Sequence, residues 1–101
     1  MIFITQEEEL QFNLPLQYLY FYASWIPYHK KNIVMISEIE KKYQIPFYAI
    51  DVDQFTNQYI RFNISSIPAI IIFKNDKEVE RIINLISTDI LNNIYADICM
   101  S

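Results

Sequence analysis

Apolar and polar positions change their period several times along this chain, and each change marks an element. "MIFI" opens as a short strand. "TQEEEL" follows, with Thr5 and Glu8 at capping-box spacing and three glutamates where a helix N-terminus favours negative charge. That spacing predicts a brief helix, stopped by "NLP". "LQYLYFYA" is apolar on both faces, as a central strand covered by helices should be. Its Tyr18, Tyr20 and Tyr22 alternate and so share one face. Pro27 then suits the first turn of a helix, where a missing N–H costs nothing. The helix runs through "YHKKNIVMISEIEKKY", with Ile33, Ile36, Ile39 and Tyr43 recurring on one side.

"IPFYAIDV" reads as the third strand. "DQFTNQYIRFN" reads as a short helix closed by Asn63, since asparagine is the usual substitute for glycine at a left-handed cap. "AIIIFKNDKEVERIINL" is a hairpin turning at Asn75-Asp76, and "STDILNNIYADI" is a last helix capped by Ser87 or Thr88. The order is β-α-β-α-β-α-β-β-α. Strands alternating with helices and closed by a hairpin predict a three-layer α/β/α domain around a mixed sheet. With no repeats or linkers, residues 1–101 read as a single domain.

Composition narrows the function classes. Roughly half the residues are apolar, enough for a core. The net charge of -4 argues against a nucleic-acid surface as the main function. The longest apolar run, "IPAIIIF", is far short of the ~20 residues that span a membrane. The N-terminus lacks the basic flank of a secretion signal, so a soluble, non-secreted protein is expected. Its abundance of isoleucine, asparagine, tyrosine and lysine, with no glycine at all, suggests an AT-rich coding genome. That makes the cytoplasm or an organelle interior, plastid-like or endosymbiont in origin, the expected location. The single cysteine, Cys99, allows no internal disulfide, no cysteine cluster for zinc and no two-thiol chemistry within one chain.

The segments "FYASW", "DVDQ", "FNISSIPAIIIFKND" and "NLIS", in that order on those elements, resemble the thioredoxin family over nearly the whole chain. The family forms are approximately F-W-A-x-W, N-x-D, Y-G-I-x-x-I-P-T-L-x-x-F-K-N-G and G-A-x-S. Three family glycines correspond to Asn63, Asp76 and Asn84, residue types that tolerate positive φ. A fourth corresponds to Ser66, a residue type without that tolerance. The resemblance implies the thioredoxin fold and a cis peptide at Ile67-Pro68.

The family's chemistry does not carry over with the fold. Its W-C-G-P-C-K motif aligns with Trp25-Ile26-Pro27-Tyr28-His29-Lys30, so Ile26 stands for the nucleophilic cysteine and His29 for the resolving one. The reaction needs a thiolate of depressed pKa and a second thiol to release the mixed disulfide. The family's buried aspartate corresponds to Tyr20, and its lysine partner to Ala49. Loss of thioredoxin disulfide oxidoreductase activity is therefore expected, and no cofactor or metal is implied.

What remains is a surface. Trp25, Ile26, Pro27, Tyr28 and His29, with Ile67, Pro68, Asn84 and Leu85 beside them, are expected to form an exposed apolar groove that contacts a protein partner. The expected role is a redox-inactive binding or scaffold module, a small subunit of a larger assembly. The alternative is substituted chemistry, at His29 with Asp53 near it or through Cys99 in trans. A chaperone-like peptide binder is a third reading. Lys30 and Lys31 sit where a helix dipole disfavours positive charge, and read either as a solvated face or as a basic rim for an acidic partner.

Overall fold

The computed structural model describes residues 1–6, 15–84 and 86–100; the side chains of residues 58–60, 99 and 100 are not described. The helix expected over "TQEEEL" falls almost wholly on residues 7–14 and so lies outside the described residues, as does Leu85.

The elements are β1 (Ile2–Phe3), β2 (Leu16–Tyr22), α1 (His29–Tyr43), β3 (Phe47–Asp51), α2 (Thr56–Arg61), β4 (Ala69–Lys74), β5 (Lys77–Ile83) and α3 (Thr88–Met100). The five strands make one sheet in the order β1-β3-β2-β4-β5. β3 runs parallel to both β1 and β2, whereas β4 is antiparallel to β2 and to β5. The sheet is therefore mixed.

β2 is the central strand, which explains its unbroken apolar run: both of its faces are covered. Its even-numbered side chains, Tyr18 and Tyr20, join Ile70 and Ile72 of β4 under Ile36 and Ile39 of α1 and Leu91 and Ile98 of α3. Its odd-numbered Leu19 and Phe21 join Ile50 and Ile71 on the opposite face. There Phe55, Phe62 and Ile64, which flank α2, close the second core. Each fully buried aliphatic side chain of this kind contributes on the order of 2 kcal/mol of transfer free energy.

Several left-handed residues hold the connections. Asn63 (φ 53°), Asp76 (φ 68°) and Asn84 (φ 71°) adopt the positive φ that their residue types tolerate. Asn75 (φ 51°) joins Asp76, so both central residues of the β4–β5 turn are left-handed, as a type I′ hairpin requires. Ser66 does not have positive φ, so no glycine is demanded there. α3 is capped by Ser87, whose Oγ accepts from the Ile90 N–H at 3.2 Å. Among the described residues, no helix is long and apolar enough to cross a membrane.

Candidate functional site

The site is built where β2 gives way to α1. After Tyr22 the chain turns tightly, with the Ile26 N–H donating to the Ala23 carbonyl at 3.2 Å. Tyr28 then takes the left-handed conformation (φ 63°), and the helix starts at His29. This corrects the expectation that Pro27 lies in the helix's first turn. A left-handed residue cannot continue a right-handed helix backward, so Pro27 stays in the turn ahead of it. No side chain caps α1, and its first turn contains no acidic residue.

His29 sits on an aromatic ladder. Its ring stacks on Tyr22 at 4.5 Å between centroids, and Tyr22 stacks on Tyr20 at 5.4 Å. Its Nδ1 lies 3.1 Å from the Tyr20 hydroxyl. Burial pushes the Tyr20 phenol up to about 12, and a hydrogen bond from the Asn32 side chain offsets part of that rise. Burial likewise lowers the His29 pKa, against a smaller opposing pull from Asp51. Burial thus favours the neutral form of both groups, and they share one hydrogen bond whose direction follows the imidazole tautomer.

Tyr20 is paired in register with Ala49 on β3, so the two positions that the family fills with aspartate and lysine are cross-strand neighbours. Here they hold a large ring beside a methyl group. The exchange fills the space and places no charge in the core.

The turn divides its side chains. Trp25 is 69% exposed and Tyr28 75%, but Ile26 is only 6% exposed. Ile26 therefore does not belong to the exposed patch expected of it. The turn back to Ala23 points it inward, where it borders a small hollow of about 290 Å³ with Ser24, Tyr28, His29 and Lys30. Trp25 is fixed by its indole, whose Nε1 donates to Asp53 Oδ2 at 2.9 Å. Asp53 thus comes to the site through Trp25 rather than through His29.

The groove proper lies on the other side of Tyr28. It has a volume of about 580 Å³ and runs between the first turns of α1 and α3. Pro27, Tyr28, Pro68 and Asn84 line it, as expected from the sequence. Ile67 does not. Its side chain packs on the second core, and only the following Pro68, on the far side of a cis peptide bond, faces the groove. Asn84 is tied in place twice: its N–H donates to the Pro68 carbonyl at 2.8 Å, and its Oδ1 accepts from Ser66 Oγ at 2.8 Å.

The remainder of the lining is Lys31, read from the sequence only as a solvated face or basic rim, Ser87 and Thr88, read only as caps, and Asn32, Met35 and Ile86, which sequence reasoning missed. Part of this was readable, since Tyr28, Lys31, Asn32 and Met35 fall at i, i+3, i+4 and i+7 and share one helix face. Among the described residues, no three His, Cys, Asp or Glu side chains gather as a metal set. Cys99 lies in the last turn of α3, whose first turn borders the groove, and so is roughly 16 Å away along the helix.

A family model described as Thioredoxin matches residues 5–97. Thioredoxin-1 of Saccharomyces cerevisiae is 34% identical over 64 residues, which are 62% of this chain and 62% of that protein. The match therefore spans less than two thirds of the yeast protein. The crystal structure of a thioredoxin from Nicotiana alata superposes with a TM-score of 0.85 at 27% identity, covering 95% of this chain and 90% of that one. The solution structure of oxidised thioredoxin from Plasmodium falciparum gives 0.82 at 22% identity, covering 95% of each.

Proposed function

This chain belongs to the thioredoxin family, and from that premise we propose that it is a redox-inactive member whose groove binds a protein partner, as a small subunit of a larger assembly. The observation that carries this reading is the occupancy of the two thiol positions. Ile26 is buried and has no nucleophile, and His29 is engaged with Tyr20. Dithiol exchange needs an attacking thiolate and a second thiol beside it. The lone cysteine lies at the opposite end of α3 from the groove and cannot supply either.

The binding half of the proposal rests on exposure. Trp25 and Tyr28 present large exposed aromatic surfaces in the turn ahead of α1, and Tyr28 lines a groove whose surface is mainly apolar. Such rings are the usual anchors of protein interfaces, and Trp25 is already held by Asp53, so little order is lost on binding. The test has two parts. The purified protein, supplied with dithiothreitol, should reduce a protein disulfide no faster than dithiothreitol alone. Affinity capture from the source cells should recover a stoichiometric complex that Trp25→Ala or Tyr28→Ala removes. Disulfide turnover above background, or a complex indifferent to both substitutions, overturns the reading.

One observation favours a second reading, acid–base chemistry at His29: a second polar group, the Tyr20 hydroxyl, lies within hydrogen-bond reach of its ring. The pKa directions count against it. A phenol near 12 is a poor acid at neutral pH, and an imidazole nitrogen already engaged with the phenol is not a free base on that side. The pair is better suited to fixing the start of α1.

A further inference from the structure

Charge is unevenly distributed around the groove. The chain carries 12 acidic and 8 basic residues, yet the described residues that line the groove include a lysine, Lys31, and no carboxylate. Lys30 follows His29 in the same first turn of α1, where no acidic residue and no side-chain cap offset the positive end of the helix. Lys31 Nζ stands 6.0 Å from the Tyr28 ring centroid, at the groove's edge. Of the nearby carboxylates, Asp53 is engaged with the Trp25 indole and Asp51 with the Asp53 N–H, while Asp89 stands in the first turn of α3 beside Thr88 but does not line the groove. Two lysines at an uncapped helix start repel the dipole of their own helix. An anion brought to that edge by a partner relieves the repulsion.

We propose that the groove takes an extended acidic segment of a partner protein. An apolar side chain sits between Tyr28, Met35 and Ile86, and an adjoining aspartate or glutamate lies against Lys31, while Lys30, on the far side of Tyr28, adds to the positive field at this helix start. The inference rests on the reading of the groove as the contact surface and adds the chemistry of what it binds. Electrostatic complementarity of this kind chooses among partners and speeds their encounter more than it deepens affinity. It lets a protein that is acidic overall attract another acidic protein at one edge only.

The test uses short labelled peptides with a common Leu-Phe centre, flanked by Asp and Glu, by Asn and Gln, or by Lys, with binding followed by fluorescence anisotropy. The acidic peptide is expected to bind roughly tenfold tighter than the amide peptide at low salt, and the gap should narrow as salt screens the charges. Lys31→Gln should remove most of that gap, whatever it does to the amide peptide. Ile86→Ser should weaken both.

Equal binding of acidic and amide peptides overturns the charge inference and leaves the groove reading standing. An acidic preference that survives Lys30→Gln and Lys31→Gln together overturns it as well. Failure of every peptide to bind defeats the groove reading along with it. A dimer in sedimentation that Tyr28→Ala dissociates assigns the groove to a second copy of the chain and likewise overturns the proposal.

Discussion

Tyr20 and His29 form a hydrogen-bonded pair at the place where the family keeps a buried carboxylate and a thiol. A carboxylate there must be held against desolvation, whereas a hydroxyl with two hydrogen-bond partners costs little to bury. The pair does have a pH dependence. His29 titrates near 6.5 in the unfolded chain, and burial lowers that value in the fold. Above about 6.5 the ring is neutral in both states. As pH falls below that, the unfolded chain takes up a proton that the fold resists, so stability declines until the folded value is passed. Thermal unfolding should therefore show a lower midpoint at about pH 5.5 than at about pH 7.5. His29→Gln, which keeps an uncharged hydrogen-bonding side chain beside Tyr20, should lose less over the same interval. An equal loss in both proteins would show that other groups carry the acid sensitivity.

Among the elements, α1 is the one whose ends were hardest to read. Its apolar face was plain from the period of Ile33, Ile36 and Ile39, but both termini are left-handed at residues that do not favour it: Tyr28 (φ 63°) and Gln44 (φ 54°). Asn63, Asp76 and Asn84 were legible as left-handed because their side chains tolerate that region and stand where the family has glycine. A tyrosine and a glutamine give no such signal, since only the folded chain dictates their φ. The same limit hid the burial of Ile26 and the partial burial of Ile67, because side-chain direction in a tight turn follows neither the helical nor the strand period. For Gln44, which is exposed at the C-terminus of α1, Gln44→Gly removes a Cβ clash without removing packing. Urea unfolding should show a gain of about 1 kcal/mol. A loss would mean that the left-handed turn is not what strains this end.

For the molecule as a whole, the fold is what remains of the family once its thiols are gone, and the sequence carried most of that fold. The succession of elements, the hairpin and the two covered faces of β2 follow from period and turn chemistry, because those are properties of neighbouring residues; the order β1-β3-β2-β4-β5 in the sheet is not. The groove is different: it joins α1, Pro68 and the start of α3, segments distant in sequence, so half of its lining was visible only in the folded chain. A single cysteine in the last turn of α3 also fixes how the whole molecule responds to redox conditions. A disulfide closing a loop typically contributes about 2–4 kcal/mol, which for a domain near this size moves the unfolding midpoint by several degrees. This chain can form none internally. Its melting temperature should therefore be the same, within about 1 °C, in excess reductant and in a mild thiol oxidant. Any oxidised species should be a dimer on a non-reducing gel that Cys99→Ser abolishes. If oxidation instead shifts the monomer's midpoint, or if Cys99→Ser weakens capture of the partner, the thiol takes part in function and the redox-inactive reading fails. If neither occurs, binding depends on the shape and charge of the groove alone.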